Sequence, residues 1–192
     1  MIFQDLGSVQ GRYNVLYVDP PWQYEDLHVG GDNAHGAVDE FELMDIDSIK
    51  SFPIQNITED NTVLFMWATV PLLDQAFEVI SAWGFKYKTC LFWEKTGLLG
   101  LGRWFRGQVE ILTVSIRGDV KPFGLQRKNI VTCIATGHSK KPGIFRDIIE
   151  DATVNIPDRR MIELFARRAV AGWDSMGNEL PKRILSDVYP RL

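Results

Sequence analysis

Six apolar runs separated by amphipathic stretches constrain this chain more than any other feature. Tyr13-Asn14-Val15-Leu16-Tyr17-Val18 reads as a buried strand. Asp19-Pro20-Pro21 stops it, because proline lacks the N–H that a central ladder needs. Segments 62–67, 87–93, 110–116, 130–135 and 161–165 read as five more strands. Between them, 47–52 is a short helix candidate. Pro71 opens a helix with an apolar face of Leu72, Leu73, Ala76, Phe77, Val79 and Ile80, ended by Gly84. Pro142 opens another through Ile149. Strands that are apolar on both sides and alternate with helices require a mostly parallel sheet covered on both faces. The expectation is an α/β fold, a doubly wound sheet forming a single domain over residues 1–192. Ligands of such sheets gather beyond the carboxyl ends of the strands. That rule points to 19–22, to Thr69-Val70 and to 166–172.

Composition narrows the function classes. With 192 residues, 45% apolar and 24% charged, the chain has material for a real core and is too apolar to stay disordered. Its longest apolar run, 63–73, is interrupted by Thr69 and Pro71 and is too short to cross a bilayer. The first residues lack the basic start and apolar stretch of a signal peptide. Cys90 and Cys133 stand alone in apolar runs, which excludes a disulfide framework and a four-cysteine zinc site. His28, His35 and His138 have no metal-ligand spacing, so no metal is expected. The chain reads as cytoplasmic, with no membrane partner. There is no phosphate loop, no nucleophile-elbow turn, and the glycines at 97, 100 and 102 do not form a dinucleotide fingerprint. Charge is unevenly spread. Residues 1–60 hold 12 acids and 2 bases, while 61–192 hold 13 acids and 19 bases. A local basic surface is what phosphate contact needs, whatever the overall sign.

Asp19-Pro20-Pro21-Trp22 is the sharpest chemical feature. It puts an acid at the tip of a buried strand, in the crevice where ligands go. Two prolines stiffen the backbone and remove two donors, which leaves a carboxylate and nearby carbonyls as acceptors. The tryptophan adds a flat aromatic face. Acceptors beside an aromatic plane suit a planar ligand with an amino group, such as adenine or cytosine. An exocyclic amine is a poor nucleophile because its lone pair is delocalised into the ring. Hydrogen bonds accepted from it would favour a tetrahedral nitrogen and aim the lone pair at an electrophilic carbon, a catalysis by positioning and electrostatics.

Asp19-Pro20-Pro21-Trp22 after an apolar strand resembles the signature of the A-70-type adenine-N6 methyltransferases. That family includes the catalytic subunit of the eukaryotic messenger-RNA N6-methyladenosine writer and many bacterial and phage members. The likeness continues in order over residues 13–180. Segment 41–49 is similar to the family's Y-P-T-M segment and following helix, and 64–69 to its second strand. Gly84-Phe85, 92–96, Gly102-Arg103-Trp104, Glu110, Arg117-Gly118 and Ser139-Lys140-Lys141-Pro142 follow. The blocks 163–167 and 172–179 resemble its closing E-L-F-[AG]-R and G-W-x-x-x-G-N-[EQ].

The resemblance implies a Rossmann-like S-adenosylmethionine-dependent methyltransferase acting on adenine N6. It implies that Asp19 and the Pro20 carbonyl hold the target amine, with Pro21 shaping the turn and Trp22 beside the base. It implies a cofactor set of Asp19, Lys141, Glu163, Phe165, Arg167, Asn178 and Glu179. Two departures stand out: Phe41 and Glu42 replace the family's Tyr-Pro, and the loop 23–40 is acidic.

Nucleic-acid contacts are expected from Arg103, Trp104 and Arg106, since arginines beside aromatics suit phosphate contact and base stacking. Arg127 and Lys128, with Lys121, extend that patch. DNA is favoured over RNA because no RNA-binding module accompanies the domain. A duplex target requires the base to be flipped out. A domain this small leaves room for a homodimer or an added specificity subunit. The competing readings are an RNA adenine-N6 methyltransferase, a non-catalytic nucleic-acid-binding subunit of the same fold, and a methyltransferase of a small amine. The intact Asp19-Pro20-Pro21-Trp22 argues for an enzyme.

Overall fold

Strand β2 (Tyr13–Val18) is buried at every position, as a strand covered on both faces must be. In the computed structural model, which describes residues 1–23, 43–97, 104–125, 127–134, 140–178 and 180, it lies inside an eight-stranded sheet. The other strands are β1 (Ile2–Phe3), β3 (Thr58–Thr69), β4 (Lys86–Thr96), β5 (Val109–Arg117), β6 (Ile130–Ile134), β7 (Met161–Leu164) and β8 (Asp174–Met176). Their order is β1-β8-β7-β2-β3-β5-β4-β6. All run parallel except β5, which pairs antiparallel with β3 and β4.

The strand side chains alternate between two cores. Leu16, Val18, Leu64, Met66 and Ala68 face helices α1 (Ile46–Lys50) and α2 (Leu73–Ala82). Val15, Tyr17, Val63, Phe65 and Trp67 face α3 (Ile144–Ala152) through Phe145, Ile148 and Ile149. Helices on both faces make the sheet doubly wound, as expected. Asp45 caps α1 by accepting from the Ser48 N–H at 2.7 Å. Gly84, at φ +78°, closes α2, with the Phe85 N–H donating to the Ile80 carbonyl. No helix among the described residues is long and apolar enough to cross a membrane.

The boundaries differ from expectation in instructive places. Pro71 and Pro142 each lie ahead of their helix, which begins two residues later. The run 161–165 ends as a strand at Leu164, because Phe165 adopts φ +58°. β1 and β8 were not expected. They are two and three residues long and are held by parallel pairing rather than by any pattern of their own.

The chain leaves β2 for β3 on one side and later returns to β7 on the other. The carboxyl end of β2 is therefore the switch point of the sheet, where a crevice opens. Asp19 is the residue that stands there.

Candidate active site

The turn after β2 is pinned from two sides. The Trp22 N–H donates to the Pro20 carbonyl at 2.9 Å, the Met44 N–H donates to the Pro21 carbonyl at 2.8 Å, and the Gln23 N–H donates to the Met44 carbonyl. Trp22 and Met44 form a parallel bridge. The Trp22 indole is only 6% exposed, and its N–H donates to the Trp67 carbonyl at 3.1 Å. The ring expected beside the base is thus packed into the turn rather than left open. A buried indole needs a partner for its N–H, and here that need ties the turn to β3. Pro20 and Trp22 thus hold the shape of the turn, and Asp19 is left as its chemically available group.

Asp19 is embedded in charge. The Lys141 Nζ lies 2.9 Å from its Oδ1 and 3.0 Å from its Oδ2. The same ammonium lies 3.3 Å from Glu110 Oε2 and 5.4 Å above the Trp67 ring. Lys95 pairs with the other oxygen of Glu110 and sits over Trp93. Two carboxylates and two ammonium groups thus form one chain that sums to zero charge. Burial pushes the Asp19 carboxyl up, and Lys141 pulls it back. For Lys141 burial acts downward, but the two carboxylates outweigh it and hold the ammonium above its ordinary value. Thr69, opposite Glu110 in the register, carries a buried Oγ1 with no hydrogen bond among the described residues.

A second charged layer lies beneath. Glu163 on β7 accepts from Arg146 on α3 at 2.8 and 2.5 Å, through both oxygens. The Arg146 guanidinium stands 5.4 Å over the Tyr17 ring. The Tyr17 hydroxyl accepts from the Trp67 indole at 2.7 Å, and burial holds its phenol protonated. Glu163, carried over as a cofactor ligand, is already held bidentate and buried, and it faces the α3 core. Arg146 is the partner that an acid in an apolar strand requires.

The cofactor-side residues flank the ends of β7 and β8. Phe165, forced to positive φ, turns its ring onto Phe52 at 5.2 Å. The Ala166 N–H donates to the Met176 carbonyl. At Gly177 a Cβ would stand 2.2 Å from the Ala166 carbonyl oxygen, so only glycine lets the two segments approach. Arg167 is half-buried, and its charge reaches Asp19. Asn178 is exposed just beyond, and Glu179 lies outside the described residues.

The expected nucleic-acid residues divide into two groups. Trp104 and Phe105 are 93% and 89% exposed, with Arg106 exposed beside them, past the carboxyl end of β4. Arg103 lies outside the described residues. Arg127 and Lys128 precede β6, at the opposite end of the β4–β6 pair. Lys121 pairs with Asp119 at the amino end of β3, where the Asp119 N–H is held by Asn61. Glu110, Lys95 and Arg146 had no assigned role in the sequence reading, yet they build the charged surroundings of Asp19.

Comparison with known proteins identifies the family. The family model described as MT-A70 matches residues 13–179. The Type II methyltransferase M.MunI of Mycoplasma sp is 31% identical, over 88% of this chain and 78% of its own length. The N(6)-adenosine-methyltransferase catalytic subunit METTL3 of Homo sapiens is 28% identical over 90% of this chain, which spans 29% of that protein. An N(6)-adenosine-methyltransferase MT-A70-like protein of Arabidopsis thaliana is 26% identical over 90% of the chain and 24% of its own length. The family motif that the sequence carries and the crevice in which the structure places it coincide at Asp19: the chain belongs to the MT-A70 family of adenine-N6 methyltransferases.

Proposed function

We propose that this chain transfers the methyl group of S-adenosylmethionine to adenine N6 in DNA, with Asp19 on the target amine. The observation that carries the reading is the Asp19 carboxylate at the switch point of the sheet, charged, shielded and held by a rigid turn. A carboxylate has more lone-pair directions than Lys141 occupies, so it can accept an amine N–H without releasing the ammonium. The Pro20 carbonyl keeps a second lone pair free beside the one used by the Trp22 N–H. The two acceptors orient the nitrogen. The nitrogen–carbon bond would form as the methyl's bond to the sulfonium sulfur breaks, its electron pair staying on a neutral thioether, and the nitrogen would shed a proton. Asp19, whose burial raises its proton affinity, takes it up and passes it to solvent. Lys141 keeps the carboxylate charged between turnovers.

The residues present fit the donor. It brings a carboxylate, an ammonium, a ribose and an adenine ring, and it supplies an electrophilic methyl carbon on sulfonium. Lys141 and Arg167 are cations at the rim, Phe165 is an apolar wall, and Asn178 offers both donor and acceptor. The orphaned Thr69 hydroxyl is a buried polar atom at the same edge awaiting a partner. Glu163 acts through Arg146 in this reading and touches no ligand. Trp104 and Phe105, not Trp22, supply exposed ring faces for an unstacked base.

Support for DNA over RNA is the extent of the match to the type II methyltransferase, 78% of its length. The relatives named for adenosine are matched over less than a third of theirs and keep RNA as the second reading. The deciding experiment transfers radiolabelled methyl to unmethylated duplex DNA, single-stranded DNA and RNA in parallel, with Asp19→Ala as control. Label recovered as N6-methyladenine in duplex DNA and lost in the variant is the expected result. Label in RNA alone replaces DNA by RNA. Wild-type turnover by Asp19→Ala removes Asp19 from the chemistry.

A further inference from the structure

Most cations among the described residues are engaged. Lys50, Lys95, Lys121 and Lys141 sit in ion pairs, and Arg146 holds Glu163. Arg12, Arg117 and Arg159 donate to carbonyls, and Arg160 lies on the Tyr13 ring. Six more exposed cations, Lys86, Lys88, Arg106, Arg127, Lys128 and Lys140, make no hydrogen bond, ion pair or ring contact among the described residues; Arg168, also exposed, lies after β7 and acts on Glu163 through its charge. A solvated lysine is ordinary. What is not ordinary is that all six lie on β4, in the segment between β4 and β5, or on the flanks of β6.

Acids in this region offset them only in part, since Glu94 alone keeps a charge that no cation pairs among the described residues. Glu110 is taken by Lys95 and Lys141, and Glu94 accepts from the Thr132 hydroxyl at 2.7 Å. The register spreads the six along the sheet. Phe92 pairs with Ile130 and Thr96 with Ile134, so β6 lies beside the carboxyl half of β4. Arg106 and Lys140 follow the carboxyl ends of these strands, on the side of Asp19. Arg127 and Lys128 come in below Ile130, beside the amino half of β4 that carries Lys86 and Lys88. The Asn129 carbonyl accepts from the Phe92 N–H, and the Arg127 side chain shares a cavity wall with Thr89 and Cys90, which fixes that level. β4 has 11 residues, a length of about 36 Å at about 3.3 Å per residue. At 3.4 Å per base pair that is roughly one turn of duplex.

We propose that the β4–β6 edge is a phosphate track for duplex DNA, leading from the aromatic pair Trp104-Phe105 beside the active site down to Lys86, Lys88, Arg127 and Lys128. It rests on the proposed DNA substrate. The track reads no sequence. It holds about one helical turn on one side of the target adenine, and it adds contacts whose strength falls with salt.

The test is fluorescence anisotropy of labelled duplexes of about 12 and about 24 base pairs, titrated with the full chain between about 50 and 200 mM KCl. The charge-neutral variant carries K86Q, K88Q, R127Q and K128Q. Its log–log salt slope is expected to flatten by about 3.6, about 0.9 for each of the four lost phosphate contacts, with binding at least tenfold weaker at about 100 mM salt. The variant K86R, K88R, R127K and K128R retains the parent slope. A neutral variant with the parent's slope and affinity, still methylating DNA, overturns the track and leaves the proposed function standing. A parent that methylates no nucleic acid overturns the proposed function, and the slopes then judge the track alone. Tighter binding of single strands than of duplex of the same length overturns the duplex assignment.

Discussion

Arg146→Met removes one partner of the buried pair beneath the site, and its cost can be worked out. Both side chains are over nine-tenths buried, and Glu163 is held by two hydrogen bonds of 2.8 and 2.5 Å. Breaking such a pair leaves a buried carboxylate unpaired, which costs about 3–5 kcal/mol. A domain of this kind holds on the order of 5–15 kcal/mol in all. Each kcal/mol is worth about 2–4 °C in Tm at this length, so the melting point is expected to fall by roughly 10 °C. Arg146→Met with Glu163→Leu removes both charges and is expected to recover most of the loss. The sign with pH follows from Glu163. Burial raises its carboxyl, and Arg146 pulls it back, so in the single variant it rises further. A raised carboxyl contributes stability that is present below its unfolded pKa of about 4.3 and lost as pH rises through the folded value. The deficit of Arg146→Met is therefore largest near neutrality and shrinks as pH falls toward 4. Urea unfolding followed by tryptophan fluorescence at pH 7 and pH 4.5 measures all three quantities. A loss under about 1 kcal/mol, or a double variant no better than the single, would refute the reasoning.

Three further outcomes are expected. The acid limb of kcat, measured at saturating donor, lies above the ordinary carboxylate value of about 4, because burial raises Asp19. Lys141→Gln moves that limb to higher pH, and an unmoved limb separates Lys141 from Asp19. Trp22→Phe removes the 3.1 Å indole bond to β3, and is expected to cost about 1–2 kcal/mol and to lower kcat while donor affinity holds. Calorimetric donor titration beside the rate checks this. Gly177→Ala puts a methyl 2.2 Å from the Ala166 carbonyl oxygen and must part the ends of β7 and β8. At least a tenfold loss of donor affinity is expected, and parent affinity would detach that approach from cofactor binding.

How much of this was legible depended on the signal available. β2 matched its expected bounds because proline ended it and apolar residues filled it. β1 and β8 left no pattern, because two or three residues show no period and their stability comes wholly from neighbours. The packing of Trp22 was not legible, because a sequence shows an aromatic ring but not whether its N–H is already spoken for. Glu163 announced the need for a partner, and the signal for Arg146 was present but unused: it sits between Phe145 and Ile148 on the flank of the buried face of α3. The cations at 127 and 128 were read as one patch with 103–106, since composition has no register. The pairing of Phe92 with Ile130 is what separates them.

The least legible feature was the direction of β5, and it explains why Glu110 belongs to the site. Parallel strands need a crossover of a dozen or more residues, usually helical. The residues between β4 and β5 number about that many, but they are glycine-rich and carry no helical pattern, which is the sequence signal for an antiparallel partner. The rule that ligands gather at carboxyl ends then needs amending for this strand. Running against its neighbours, β5 brings its amino end to the active edge, and Val109-Glu110 arrives where the parallel strands finish. An acid there meets Lys141 on one side and Lys95 on the other. Were β5 parallel, Glu110 would lie at the far edge, and Lys141 would have only Asp19 to hold. The reversal thus gives the ammonium a second carboxylate, and the two together hold Lys141 charged beside Asp19 in spite of its burial.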